Sequence, residues 1–321
     1  MNVAEFSQSF RAVVTEMSRV LVGQDDIVEH VLTAALARGH VLIEGVPGLG
    51  KTLLVRALSH VMGAGFKRIQ FTPDLMPSDV TGGNVFDQSK GQFLFMAGPV
   101  FTQLLLADEI NRAPAKTQSA LLEAMQDRSV TADGETRALP EPFLVIATQN
   151  PVESQGTYPL PEAQLDRFLI KVHVTHPSQA AEQQILTNYL HGFDPANLDR
   201  VGLQTVLSVE QLLEMQATLN TIRVDPEIVA YVTDIVARTR SHRAVYLGAS
   251  PRASIGLLTT ARARAAAEGR DFVVPDDVKT FAPGVLRHRL ILHPDAELEG
   301  TTADDCVEGI LREAPVPRTA A

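Results

Sequence analysis

Between residues 40 and 175, short apolar runs rich in β-branched residues alternate with stretches whose apolar positions are spaced three and four apart. The runs predict strands at Val41–Glu44, Phe66–Phe71, Gln103–Ala107, Phe143–Thr148 and Phe168–Val174. Strands alternating with helices in this way predict an α/β core, a five-stranded parallel sheet flanked by helices, over about residues 1–200. From Leu203 onward the spacing is helical throughout, and residues 201–321 are expected to form a small all-α domain. Its helix starts are marked by a Ser208/Gln211 capping box, by Asp225-Pro226 and by Ser250-Pro251. The tail from Arg312 to Ala321, with two prolines and small residues, is expected to fray.

The most specific segment is Gly45-Val46-Pro47-Gly48-Leu49-Gly50-Lys51-Thr52, which fits a phosphate-binding loop between the apolar run Val41-Leu42-Ile43 and the helical stretch that continues through Leu53. Glycines let consecutive backbone N–H groups curl toward phosphate oxygens, and the helix start adds free N–H groups and a positive dipole end. Lys51 would reach the β- and γ-phosphates, and the Thr52 hydroxyl would hold Mg²⁺. The bland reading is a glycine-rich turn with a surface lysine. Leu104–Ala107 runs into Asp108-Glu109, two carboxylates at a strand end, where ligands of open α/β sheets sit. Asp108 would contact Mg²⁺, and Glu109 would orient and deprotonate the attacking water; without a phosphate loop beside them, they would read as a solvated turn. Asn150, in Ala147-Thr148-Gln149-Asn150-Pro151, reaches the same edge and would hold that water, although Asn before Pro also starts turns. Arg252 begins a helix, where a cation opposes the helix dipole by about 0.3–1 kcal/mol, and a bound γ-phosphate would compensate it. Arg167, just before the last strand, reads on spacing alone either as a partner for a local acid or as a functional cation.

Composition narrows the classes. No apolar run approaches a spanning helix, and Met1–Glu5 lacks the basic and apolar regions of a leader, so the chain is expected in the cytoplasm without membrane insertion. A single cysteine, Cys306, excludes an internal disulfide framework. The nine histidines include no helical His-x-x-x-His pair, and His173 and His176 read as structural, so no protein-held transition metal is expected. A net charge of −10 opposes broad attraction to nucleic acid.

These residues resemble an AAA+ ATPase, and more narrowly its MoxR group, over nearly the whole length. The resemblance rests on Gly45 to Thr52, on Ala107-Asp108-Glu109-Ile110-Asn111-Arg112-Ala113-Pro114, on Leu121-Leu122-Glu123-Ala124-Met125-Gln126, and on the run from Ala147 to Glu153 and from Gly156 to Phe168. It implies ATP and Mg²⁺ as ligands. Gly45, Pro47, Gly48, Leu49, Gly50, Lys51, Thr52 and Leu53 would bind nucleotide with Asp108, while Val22, Gly23 and Gln24 would enclose the adenine. Asp108 and Glu109 would be the Walker B pair, Asn150 sensor 1, Arg167 the arginine finger and Arg252 the sensor 2 arginine. Val80–Pro99 would be the helix-2 insert. Arg128 to Leu139, which reads independently as a hairpin around Asp133-Gly134, would be the pre-sensor 1 hairpin. The resemblance further implies a ring, expected to be a hexamer, with sites completed in trans, remodelling a client or assisting metal-cofactor insertion with a von Willebrand factor A domain partner. A slow nucleotide-switched scaffold is the alternative, and a nucleic-acid motor a weaker one. Arg112 and Glu162 are left without a role.

Overall fold

The central strands lie within two residues of their expected positions: β1 (Val41–Glu44), β2 (Phe66–Gln70), β3 (Leu104–Asp108), β4 (Leu144–Gln149) and β5 (Ile170–His173). In the computed structural model, which describes residues 1–46, 48–150, 156–195 and 197–317, they pair in parallel in the order β2–β3–β4–β1–β5. Their nearly unbroken apolar sequence follows from coverage on both faces. Alternation sorts the side chains: Val41, Ile43, Leu104, Leu106, Leu144 and Ile146 join one core with helices Val3–Ser18, Asp25–Leu36 and Lys51–Val61. Leu42, Leu105, Ala107, Val145 and Ala147 face the other way, into a second core with helix Ala115–Asp127.

Two hairpins leave this frame. Gly82–Asp87 pairs with Gln92–Ala97, and Ser129–Ala132 with Glu135–Ala138. The second turns at Asp133 and Gly134, both at positive φ, the geometry that makes Asp-Gly a hairpin signal. The first requires glycine at Gly82, where φ is +84 and a Cβ would lie 2.2 Å from the Met96 carbonyl oxygen. The hairpins meet where the Arg137 guanidinium stacks 3.9 Å from the Phe95 ring centre.

Beyond the core lie helices Val209–Thr218, Pro226–Ser241, Pro251–Ala267, Pro275–Leu286 and Ala303–Glu313. Ser208 and Gln211 form the expected capping box, and Ser250 accepts from the Arg252 N–H at 3.2 Å. Asp225 stands at its expected N-cap, yet its side chain makes no cap hydrogen bond. One addition to the helical pattern is a ribbon pairing Val245–Leu247 with Ile291–Leu292, too short for periodicity to reveal. The expected fraying from Arg312 is not seen at its start, where Arg312 and Glu313 complete a helix and Ala314 is buried; the end of that tail, 318–321, lies outside the described residues. The helical layer packs on Val3–Ser18, on Asp25–Leu36 and on edge strand β5. Ser7 donates to the Ala267 carbonyl at 2.7 Å, and Arg264 pairs with Glu29 at 2.9 Å.

His40 ties the core together. Its Nδ1 accepts from the Val145 N–H at 3.0 Å, which leaves Nε2 to donate to the Met125 carbonyl at 3.1 Å. This arrangement needs the neutral ring, and burial, aided by the Arg128 charge, pushes its pKa down to about 4. The unfolded chain therefore binds the extra proton first as pH falls. His40 contributes its full stability above pH 6.5, and about 3 kcal/mol of it is lost by pH 4. The stability difference between the native chain and His40→Gln in urea unfolding should shrink across that window; a difference constant with pH would contradict the assignment.

Candidate functional site

The carboxyl ends of β1, β3 and β4 open onto one cleft of about 500 Å³ lined by Gly48, Gly50, Lys51, Thr52, Leu53, Asp108, Glu109 and Asn150. The parallel register brings them together: Glu44 aligns with Gln149, and Gln70 with Asp108, so the ends of β1, β2, β3 and β4 meet at the same edge. Gly48 and Gly50 have φ of +87 and +78, and a Cβ on Gly45 would lie 2.7 Å from the Val174 carbonyl oxygen. Lys51 donates to the Gly45 carbonyl, folding the loop over itself. Pro47 lies outside the described residues. Val22, Gly23 and Gln24 form the turn before helix Asp25–Leu36, and Gln24 Nε2 donates to the Leu49 carbonyl at 3.2 Å.

The helix leaving this loop starts at Lys51 with no capping side chain and no acid in its first turn. Its free N–H groups and a cation thus converge on one point, an arrangement that favours an anion there. Burial lowers the Lys51 pKa, while Asp108, Glu109 and Glu44 oppose that shift. The donor set fits a triphosphate with a divalent cation: backbone N–H groups and an ammonium for phosphate, a hydroxyl and a carboxylate for the metal.

Several residues that the sequence reading passed over organise the carboxylates. Thr148, fully buried, donates to Asp108 Oδ1 at 2.6 Å and accepts from the Glu109 N–H at 2.9 Å. Arg68 pairs with Asp108 Oδ2 at 2.6 Å, and Gln70 Nε2 donates to Glu109 Oε2 at 2.8 Å. Arg112, unassigned from sequence, also reaches Glu109 Oε2, at 3.2 Å. Glu109 itself has φ of +55, a left-handed conformation uncommon for a residue with a side chain. Asn150 is buried at the same edge. The register signal was available for Gln70, the last residue of β2 beside Asp108. Thr148→Val would strand the Glu109 N–H and one oxygen of Asp108; the expected loss is about 1–3 kcal/mol in denaturant unfolding.

Arg167 and Arg252 do not line this cleft. They share a second one, with no lining residue in common with the first, lined by five arginines (Arg38, Arg128, Arg167, Arg252 and Arg289) and one carboxylate, that of Asp166. Asp166 takes Arg289 at 2.6 Å, Ser250 at 3.1 Å and Arg252 at 3.5 Å. The compensation that Arg252 needs at its helix start thus comes in part from Asp166. Arg167 donates to the Leu122 carbonyl at 2.6 Å. Arg289, buried, also donates to the Phe168 carbonyl at 2.7 Å. Among the described residues no group of three or more His, Cys, Asp or Glu side chains is arranged to hold a metal ion, and no helix is long and apolar enough to cross a membrane.

Comparison with known proteins agrees with this architecture. Residues 40–170 match the ATPase family associated with various cellular activities (AAA), and residues 237–310 match the AAA lid domain. The chain is 48% identical to the uncharacterized protein YeaC of Bacillus subtilis, over 95% of this chain and 93% of that one. It is 45% identical to Chaperone MoxR1 of Mycobacterium tuberculosis, over 94% and 81%, and 32% identical to Protein MoxR of Methylorubrum extorquens, over 94% and 93%. A crystal structure of a candidate ATPase from Cytophaga hutchinsonii superposes with a TM-score of 0.90 at 40% identity, covering 98% of this chain and 97% of that one. With its five-stranded parallel core, helical lid and loop from Gly45 to Thr52, the chain belongs to the MoxR family of AAA+ ATPases.

Proposed function

We propose that this chain hydrolyses ATP with Mg²⁺ in a ring, expected to be a hexamer, in which each site is completed by Arg167 and Arg252 of the next subunit. The observation that carries this reading is the division of functional residues between two clefts that share no residue. One has the groups to bind a triphosphate and activate water, and the other has the cations to meet an anion.

In the first cleft, the segment Gly45 to Thr52 cradles the phosphates, and Val22 to Gln24 flank the base. Mg²⁺ held by Thr52 and Asp108 would neutralise charge on the β- and γ-phosphates. Both oxygens of Asp108 are engaged, by Thr148 and by the more exposed Arg68, so holding Mg²⁺ there would require Asp108 to release Arg68. Asn150 positions the attacking water. Glu109 accepts its proton as the water oxygen bonds to the γ-phosphorus; the bond to the β–γ bridging oxygen breaks, releasing ADP and inorganic phosphate. Arg167 of the neighbour offsets the charge developing on the transferred group.

The name of the mycobacterial relative favours a chaperone-like role; in our reading, which extends this by the family resemblance alone, hydrolysis in the cytoplasm remodels or matures a client protein, including metal-cofactor insertion, with a von Willebrand factor A domain partner. The insert hairpin suits client contact: Val85, Phe86, Phe93 and Met96 are each more than half exposed. Its stacking on the second hairpin through Arg137 gives a route by which β3 and β4, which flank the second hairpin in sequence, move the first.

Turnover of Mg²⁺-ATP per subunit, measured across a wide range of protein concentration with Glu109→Gln as control, tests this reading. A steep rise with concentration is expected. A rate per subunit independent of concentration in a demonstrably monomeric protein would refute completion in trans.

A further inference from the structure

Among the described residues, Gln179–Leu190 is the longest helix with none of its residues buried, twelve in all. A helix of this length is marginal in water and ordinarily depends on packing one apolar face. Such a face exists, because Ile185, Leu186, Tyr189 and Leu190 fall at helical spacing on one side, but they are exposed, Leu190 to 82%. The segment that carries the helix reaches the Lys51 cleft at Pro195. Near its start Ala181 packs against Gly23, where an added Cβ would lie 3.1 Å from the alanine Cβ, and after its end the chain reaches Pro195, which lines the cleft and accepts from Arg56 at 3.3 Å.

The arginine cleft carries a matching feature. Arg252, Ile255 and Thr259, spaced three and four apart, present one face of helix Pro251–Ala267 to it, and Ile255 is 67% exposed. An isoleucine one turn beyond a functional arginine would reach whatever apolar surface borders the phosphate that the arginine approaches. The two surfaces would also match in charge: phosphates held at the Gly48–Thr52 cleft would lie on the side of the chain that Pro195 and this helix approach, and five arginines with one carboxylate line the cleft beside Ile255.

We infer that the Ile185–Leu190 face is a docking surface for a second copy of this chain, whose Ile255 packs against Leu186 and Tyr189 as its Arg167 and Arg252 reach the bound nucleotide. This rests on the trans reading above and deepens it by naming the apolar contact beside the electrostatic one. Burying this face only in the assembly makes the Gln179–Leu190 helix firm when the site is complete.

Site-directed cross-linking tests it directly. The native Cys306 is buried and is replaced by alanine. Chains carrying Ile255→Cys are mixed with chains carrying either Leu186→Cys or Tyr189→Cys, all with Glu109→Gln to retain ATP, and are oxidised mildly with and without Mg²⁺-ATP. The expected result is a disulfide-linked pair between unlike chains that needs nucleotide and is absent when Leu247→Cys, exposed elsewhere on the lid, replaces Ile255→Cys. In parallel, Leu186→Glu with Leu190→Glu should raise the concentration needed for nucleotide-dependent assembly by about tenfold or more, with single-chain nucleotide affinity unchanged. If the parent protein assembles with nucleotide but neither pair cross-links and the double variant assembles normally, the docking assignment is wrong while the ring stands. A parent protein that stays monomeric with nucleotide at every concentration overturns both.

Discussion

Arg167→Ala should lower kcat by about 10³- to 10⁵-fold, the range that arginine fingers supply in other nucleotide hydrolases. Nucleotide affinity should stay within about threefold of the parent, because Arg167 lies outside the cleft that its own chain offers to the phosphates. The mutation should also leave the fold intact: the guanidinium gives one hydrogen bond, to the Leu122 carbonyl, which on removal costs about 0.5–1.5 kcal/mol. Arg252→Ala should follow the same pattern with a smaller drop, since Asp166 already engages its charge at 3.5 Å and would keep Arg289 as partner. Single-turnover rates and nucleotide titrations on the same preparations separate the two effects. A variant that turns over normally, or one that no longer binds nucleotide, would reject the assignment for Arg167.

Glu109→Gln is the second large effect. The amide keeps the size of the side chain and can still meet Arg112 or Gln70 through its oxygen, but it cannot take a proton from water. The expected loss in kcat is about 10²- to 10⁴-fold, the usual scale for a general base. Mg²⁺-ATP should bind at least as well as before, since one negative charge has left the cleft. Lys51→Ala should behave differently: it removes the ammonium at the helix start and should weaken binding itself. The pair of outcomes distinguishes a residue that activates water from one that holds phosphate, and equal loss of binding in both would remove the distinction.

The parts of this molecule that the sequence revealed are those set by short-range rules. Runs such as Leu104-Leu105-Leu106-Ala107 are apolar at every position because both faces of the sheet are covered, so they announce strands without ambiguity. Ser208, Ser250 and their following residues announce helix starts by local hydrogen bonding, and Asp133-Gly134 announces a hairpin by its backbone preference. Gly48 to Thr52 and Asp108-Glu109, which line one cleft, were legible as candidates for the same reason, the expected pattern being written in consecutive residues. What stayed hidden depends on residues far apart in the chain. Thr148 bridges Asp108 to the Glu109 backbone only because β3 and β4 are neighbours in one register, and a threonine at a strand end carries no local mark of that duty. Asp166 gathers Arg252 and Arg289 from the helical layer, 86 and 123 positions away along the chain, through a packing of lid on β5 that no window of sequence contains. The separation of Arg167 and Arg252 from the phosphate cleft is of this kind too, and it bears most on mechanism.

The central claim is that each site draws its base and its arginine from different chains, and a mixing experiment addresses it most directly. Arg167→Ala chains retain Glu109, and Glu109→Gln chains retain Arg167, so each preparation alone is nearly inactive. Dissociated, combined in equal amounts and reassembled with Mg²⁺-ATP, they should regain activity, because a site formed by Glu109 of the first and Arg167 of the second is intact. Random assembly places that pairing at about a quarter of all interfaces, so about a quarter of the parent rate is expected. Activity in the mixture no greater than the sum of the two separate preparations, with co-assembly demonstrated, would contradict catalysis in trans.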